Sequence, residues 1–573
     1  MSNRIKLVLC WHMHQPYYRE GLDGDFRLPW VYLHTMKDYS DMAMHLERHP
    51  DMSVVVNFAP VLLEQIDDYR IQLSDYLKHG QPMRDPLLNF LAGVHPIPED
   101  TEIRRELIRA CRRAHGEHMI NPYPVFVDLL EMVTSSYPTG EPEIDLDRLP
   151  YLDAQYFLDL LTWFHLAWLG HSLKQTDTAR YLISKGRYFT HQDRQSLIEL
   201  IHSCHDELLP RYRNLSERGQ IELSMTPYAH PIIPLLNSFD NMDCAQPDAP
   251  KPAHKAYPAG HERSDWHMRK GMEVFSKYFG TRPNGIWFSE GGISNDAIDL
   301  LVKYDLNWTA SGEGVWHNSC TLSECDSDEI RSKSALFTPF QMEGTQCCLY
   351  FRDDGLSDLV GFEYKNWDPD DAVSNFTSHL VNIADSFGDK AEEHVVTVIL
   401  DGENAWEYYP DNAWHFLDKL YSALSDHPRI EATVFNAAPS SAKIRSMKKL
   451  CPGSWVYGSF STWIGDPEKN RAWDLLIEAK QAFDDVMASD SIDEASRSRA
   501  ARQLAICEGS DWFWWFGDYN PSESVRDFDY LFRHQLEQLY LILDKPVPDT
   551  LLTPVSTGGD YAESAGTMRR SQI

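Results

Sequence analysis

The strongest constraint on the fold is a set of seven short apolar runs, at residues 5–10, 52–58, 221–225, 285–288, 306–309, 348–351 and 395–400, separated by stretches of helical period. These runs are nearly continuous rather than alternating, so both faces of each strand are expected to be buried, as in a parallel sheet covered by helices. The pattern predicts an α/β fold, either a barrel or a doubly wound sheet, with an eighth strand near residues 336–340. Residues 59–218 carry helical periods and prolines at 82, 86, 96, 98, 138 and 142, which predicts a helical insertion rather than one connection.

Beyond residue 410 the pattern turns helical. Trp473, Leu476, Ile477, Phe483 and Met487 share one helix face, while Asp474, Glu478, Asp484 and Asp485 fall mostly elsewhere. The expected organisation is a domain over 1–409 containing the strands and the insertion, a helical domain over 410–545, and a flexible Pro-, Ser-, Thr- and Gly-rich tail over 546–573.

In parallel α/β folds the active site lies at the carboxyl ends of the strands. The residues there are mostly polar or aromatic: Trp11-His12-Met13-His14-Gln15-Pro16, Tyr228-Ala229-His230-Pro231, Trp287-Phe288-Ser289-Glu290-Gly291-Gly292, Ser311-Gly312-Glu313-Gly314, Arg352-Asp353-Asp354 and Asp401-Gly402-Glu403-Asn404-Ala405-Trp406, with Glu222 inside the third run. Their convergence on one rim predicts a polar cleft.

Glycoside hydrolysis needs two carboxyl groups, one to protonate the leaving oxygen and one to attack or to activate water. Glu290 and Asp401 fit that need. Each ends a strand, is followed by glycine, and has a tryptophan nearby, Trp287 and Trp406, able to stack on sugar. A lone strand-end acid more often caps the next helix, but the paired context favours the catalytic role. His12 and His14, two apart on an extended chain, face the same way. Sugar-hydroxyl hydrogen bonding suits them better than metal ligation, because spacing identifies no third ligand, and no metal or other cofactor is expected.

A formal charge of −33 argues against nucleic acid or an anionic membrane as partner, whereas a neutral polymer meets no such repulsion. Aromatic residues make up 12% of the chain, including 17 tryptophans, most of them expected in the core. No stretch approaches the roughly 18 to 20 apolar residues of a membrane span, and the apolar run at residues 5–10 is too short for a secretion signal. The ten scattered cysteines, without a C-x-x-C pair, suit reduced thiols of a cytoplasmic protein better than a disulfide framework. Walker, dinucleotide-binding, G-x-S-x-G and H-E-x-x-H signatures are absent.

His14-Gln15-Pro16, Gly219-Gln220-Ile221-Glu222 with His230-Pro231, Trp287-Phe288-Ser289-Glu290 and Asp401-Gly402-Glu403-Asn404 resemble successive sequence regions of glycoside hydrolase family 57. Thr462-Trp463-Ile464-Gly465-Asp466 and Glu508-Gly509-Ser510-Asp511-Trp512 are similar to its helical-domain region, so the resemblance spans about residues 5–545. It implies a (β/α)7 distorted TIM-like barrel followed by a helical domain that helps close the cleft, retention of anomeric configuration, and no metal. The nucleophile then falls on Glu290 and the acid/base on Asp401, with His12, His14, Glu222 and His230 around the attacked glucose. Trp287, Glu403, Trp406, Asp466, Asp511 and Trp512 are the further expected substrate-binding residues. Ser289 stands where proline is common in the family. The stretches 14–18 and 227–231 look more like amylase and amylopullulanase members than branching enzymes.

The expected function is a retaining hydrolase of glycogen- or starch-type α-glucan or maltooligosaccharide. A 4-α-glucanotransferase or branching enzyme would use the same residues with a sugar acceptor. A silent glycan-binding protein and a metal-dependent deacetylase using His12 and His14 are the alternatives from other classes. Double displacement demands unequal pKa values, with burial against Trp406 disfavouring the Asp401 anion, and carboxyl groups about 5 to 5.5 Å apart.

Overall fold

The computed structural model describes residues 3–135, 143–322, 332–440, 442–489, 492–559 and 568–570. Its main sheet has ten strands: β1 (Ile5–Met13), β2 (Val54–Phe58), β3 (Ile221–Met225), β4 (Gly285–Ile286), β5 (Trp308–Ser311), β6 (Phe340–Met342), β7 (Cys348–Phe351), β8 (Val395–Asp401), β9 (Ile430–Ala432) and β10 (Arg445–Met447). The order β8-β1-β2-β3-β4-β5-β7 is parallel throughout. The two ends of this series meet where Asp353 N donates to Thr397 O at 2.8 Å. The sheet thus curls into a seven-stranded parallel barrel.

Every residue of β1 and β2 is buried, and successive side chains face opposite ways. Val8, Cys10, Val55, Trp308, Ala310, Tyr350 and Ile399 fill the lumen, while Leu7, Leu9, Val54 and Val56 belong to the larger core outside it. The helices begin and end where local chemistry dictates. Between β2 and β3, α1 (Pro60–His79) opens on a proline and stops at Gly80, whose φ of 67° suits a residue without Cβ. α2 (Ala154–Trp168) is followed by α3 (His191–Glu217), whose Thr190 and Asp193 form a reciprocal capping box. α4 (Gly260–Phe279) follows β3, and α5 (Pro467–Met487), α6 (Glu494–Cys507) and α7 (Ser522–Ile542) come after the sheet. Trp473 of α5 stacks on Phe513, with centroids 4.5 Å apart.

Each of the seven expected runs overlaps a strand of the barrel. The eighth does not join it: Lys333–Leu336 is a helical turn, and β6 pairs antiparallel with β7 outside the parallel series. The segment after residue 410 is not purely helical, because β9 pairs with the start of β1 and β10 with β6. Three-residue strands lie below the length at which periodicity is visible. Part of the expected flexible tail is packed, with Leu551 and Val555 each 5% exposed and Arg471 Nη1 donating to Pro554 O at 2.7 Å. Two apolar anchors suffice to pin a segment of polar composition.

The cysteine expectation also needs correction. Cys244 and Cys451 are joined by a disulfide across 207 residues. Cys10, Cys111, Cys204, Cys347, Cys348 and Cys507 are free and buried, Cys320 is buried, and Cys325 lies outside the described residues. The two bonded cysteines come from loops that only the fold brings together. Among the described residues no helix is long and apolar enough to cross a membrane.

Candidate active site

Strand register assembles the site. His12 at the end of β1 sits opposite Asp401 of β8 on one side and Asn57 of β2 on the other. Asn57 Nδ2 donates to Ser224 Oγ at 2.8 Å, so Asn57 Oδ1 is the acceptor facing His12 Nδ1 at 2.7 Å. That assigns the His12 proton to Nδ1 and leaves Nε2 to accept from His230 Nε2 at 3.2 Å. His230 Nδ1 then accepts from Ser510 Oγ at 2.8 Å. Burial, followed by the neighbouring imidazoles, holds both rings neutral: His12 falls to about 3 and His230 well below the ordinary histidine value. His14 stacks on His230 with centroids 3.8 Å apart, and its Nε2 lies 2.8 Å from Asp511 Oδ1.

Glu290 follows β4 in a tight turn with φ 58° and ψ 24°, a left-handed conformation that costs a non-glycine residue about 1–3 kcal/mol. His230 shares it, at φ 60°. Two bonds hold Glu290 there: Trp455 Nε1 donates to Oε2 at 2.9 Å, and Trp455 N donates to the Glu290 carbonyl at 3.0 Å. Asp401 closes β8 and accepts from Asn404 Nδ2 at 2.9 Å. A Cβ at Gly402 would lie 2.1 Å from Met13 Sδ, so a side chain there would require Met13 to move. Glu403 Oε1 accepts from Gln15 Nε2 at 3.2 Å and His14 N at 3.3 Å. Two buried atoms beside this network, Glu403 Oε2 and His14 Nδ1, have no hydrogen-bond partner among the described residues.

Three carboxyl groups are thereby biased toward the protonated state. Glu290 is pushed up to about 8, first by burial and next by the charge of Asp401, against the Trp455 hydrogen bond. Asp401 rises to about 6 through burial, restrained by Asn404 and then by His14 and Arg352. Glu403 lies well above the ordinary range, through burial and then Asp401. The order within the pair is the reverse of the expected one, with the higher value on Glu290, because Asp401 is the neighbour whose charge Glu290 must share.

His12, His14, Glu290, Asp401, Glu403 and Asp511 line one cleft of about 330 Å³. The other expected substrate-binding residues do not line it. His230 is fully buried behind His14. Glu222 sits inside the barrel, accepting from Trp308 Nε1 at 2.7 Å and Asn436 N at 3.0 Å. Trp287 is fully buried edge-on against Trp455, and Trp406 is packed on Trp11 with Nε1 donating to Gly402 O at 2.8 Å. Asp466 caps α5 through Glu468 N, and the Trp512 indole donates to Ile506 O. Expecting sugar contact from Trp287 and Trp406 used their closeness in sequence to an acid, but their rings face the core and support the acid loops from behind.

The aromatic side chains that do line the cleft include Trp30, Trp168, Trp455, Trp514 and Trp515. No strand pattern or motif in the sequence marks Trp455, which lies in the irregular segment after β10. Asn404 was visible in the Asp401-Gly402-Glu403-Asn404 run. The fold assembles a different candidate metal set, which spacing did not reveal and which omits His12: donor atoms of His14, His230 and Asp511 lie within 4.8 Å of one another. The His14 to Asp511 hydrogen bond would have to open for an ion to enter.

The family model for Glycosyl hydrolase family 57 matches residues 8–443. The GH57-type branching enzyme of Pyrococcus horikoshii has a similar structure, with a TM-score of 0.55 at 15% identity over 99% of this chain and 100% of that one. The α-amylase AmyC of Thermotoga maritima gives 0.55 at 12% identity over 94% and 93%. The 4-α-glucanotransferase of Thermococcus litoralis gives 0.50 at 13% identity over 94% of this chain and 60% of that one. At these identities the likeness is one of fold.

Proposed function

The chain belongs to glycosyl hydrolase family 57, and from that membership we propose a retaining α-glucan hydrolase that cleaves α-1,4 glucosidic bonds, with α-1,6 bonds as a further candidate. The observation that carries this reading is the pair Glu290 and Asp401, two half-buried carboxyl groups facing one cleft, with the charge of one raising the pKa of the other. Ionised Glu290 attacks the anomeric carbon, the glycosidic C–O bond breaks, and protonated Asp401 gives its proton to the leaving oxygen. Asp401, now a carboxylate, takes a proton from the water that attacks the glycosyl ester, and Glu290 departs. Protonating Asp401 removes the charge that raises Glu290, so Glu290 ionises more readily when Asp401 holds the proton. The neutral His12 and His230 pair holds His14 in place. Unpartnered Glu403 Oε2 and His14 Nδ1 suit sugar hydroxyls, since buried polar atoms without partners are rare.

Products from a panel of linear and branched glucans test the reading. New reducing ends from the wild type, and none from Glu290→Gln or Asp401→Asn, support it. Redistribution of chain length without new reducing ends would replace hydrolysis with transfer. Equal null activity in wild type and Glu290→Gln, with glucan still bound, would leave only a binding protein.

A further inference from the structure

Residues 568–570 lie against the cleft. Met568 and Arg569 line it together with Glu290 and Asp401. The Arg569 guanidinium stands over two rings of the C-terminal helical wall, 5.0 Å from the Trp514 centroid and 4.8 Å from that of Tyr519. The next residue reaches the barrel wall. Arg570 Nη2 is 2.7 Å from Glu363 Oε1, and its guanidinium lies 5.1 Å from the centroid of Phe362, itself a cleft residue. Consecutive arginines therefore hold two parts of the cleft lining, one from the segment after α6 and one from the barrel. The charge of Arg569 is close enough to act on Glu290.

We propose that residues 568–570 form a strap that stops a glucan chain from running through the cleft, so that the enzyme acts on chain ends and short oligosaccharides rather than on internal bonds. This deepens the α-glucan reading and rests on it. A polymer gripped in mid-chain needs an exit on both sides of the reacting bond. The strap occupies one exit, and Arg569 covers a face of Trp514 that could otherwise stack on sugar. Its anchors are individually weak: the Arg570 and Glu363 side chains are 59% and 41% exposed, and the cation–π contacts lie at the rim. The strap can therefore be released by a single substitution.

Arg569→Ala and Arg570→Glu in the full chain test this. Wild type should release short products from amylose from the first time points. Each variant should give a dispersed range of sizes, with the rate on amylose relative to maltopentaose raised about five-fold or more, as expected for relieving a closed-state population. The charge swap Arg570→Glu with Glu363→Arg should restore the wild-type pattern, which a folding defect would not. Identical product patterns and rate ratios in wild type and both variants would overturn the strap. If wild type turns over no glucan, the hydrolase reading fails separately. The strap is then read by fluorescence titration of the same proteins with amylose and maltotriose. A higher affinity ratio for amylose in the variants supports it, and an equal ratio rejects it.

Discussion

The indole nitrogen of Trp455 donates to Glu290 Oε2 at 2.9 Å although 165 residues separate the two in sequence. The same tryptophan binds the Glu290 carbonyl through its backbone, so the loop after β10 holds the proposed nucleophile both by its strained backbone and by its carboxylate. Trp455→Phe keeps the ring and removes the indole donor. A hydrogen bond to a charged group contributes about 1.5–3 kcal/mol, so kcat should fall roughly 10- to 100-fold. The pH limb that reports Glu290 should move upward. Steady-state kinetics across pH check both, and an unchanged rate and profile would reject the role given to this bond.

The pH dependence of kcat/KM should be bell-shaped. The active form holds one proton on the pair, so activity should rise through about 6 as Asp401 and Glu290 together gain that single-proton state and fall through about 8 as the last proton leaves. In Asp401→Asn the charge that raises Glu290 is gone, and the titration of Glu290 should shift to lower pH. A Glu290 titration that stays in place in Asp401→Asn, followed by carboxyl infrared or NMR difference spectra, would count against electrostatic coupling.

The proposed double displacement runs on carboxyl groups, so EDTA should leave the rate unchanged. Added Zn²⁺ should inhibit competitively by entering between His14, His230 and Asp511. Calorimetry should detect Zn²⁺ binding in Glu290→Gln and lose it in Asp511→Ala. Non-competitive inhibition, or binding that survives loss of Asp511, would place the ion elsewhere.

Stability should show an acid-sensitive component at Glu508. Burial alone would raise this carboxyl, but Arg263, with Nη2 at 2.7 Å, and His267, with Nε2 at 2.8 Å, bring it down to about 2. A depressed folded-state value means the stabilisation is fully present above the ordinary glutamate pKa of about 4.3 and is lost as pH falls toward about 2. Urea unfolding should therefore weaken between those limits. Arg263→Ala removes the permanent positive charge beside this buried carboxylate, leaving it His267 and Tyr257, and should cost about 3–5 kcal/mol at neutral pH. Ser510, two residues on, holds His230, so the same variant should also reduce turnover.

Much of the barrel was legible because a strand buried on both faces leaves an apolar run, as at residues 5–10 and 395–400. The acids at strand ends were legible because register places them on one rim. What stayed hidden depends on meetings across the chain. β9 is only three residues long and is a strand because Ile430 lies beside Ile5. Cys244 finds Cys451, and Trp455 finds Glu290, through loops whose paths no local pattern specifies. Trp287 and Trp406 show the converse: sequence closeness to an acid says nothing of which way a ring turns, and both turn into the core.

The pairing of β1 with three strands, β2, β8 and β9, has a consequence for how the molecule is made. Lys6 pairs with Val395 and Ile5 with Ile430, so β1 waits during synthesis for two partners that come about four hundred residues later. At about 5–20 residues per second that delay lasts tens of seconds, with an apolar strand unpaired along one edge. The seam between β1 and β8 is therefore where a slow ribosome, or a shortage of chaperone, should turn synthesis toward aggregation, and where nascent chains released before residue 430 should depend most on chaperone capture.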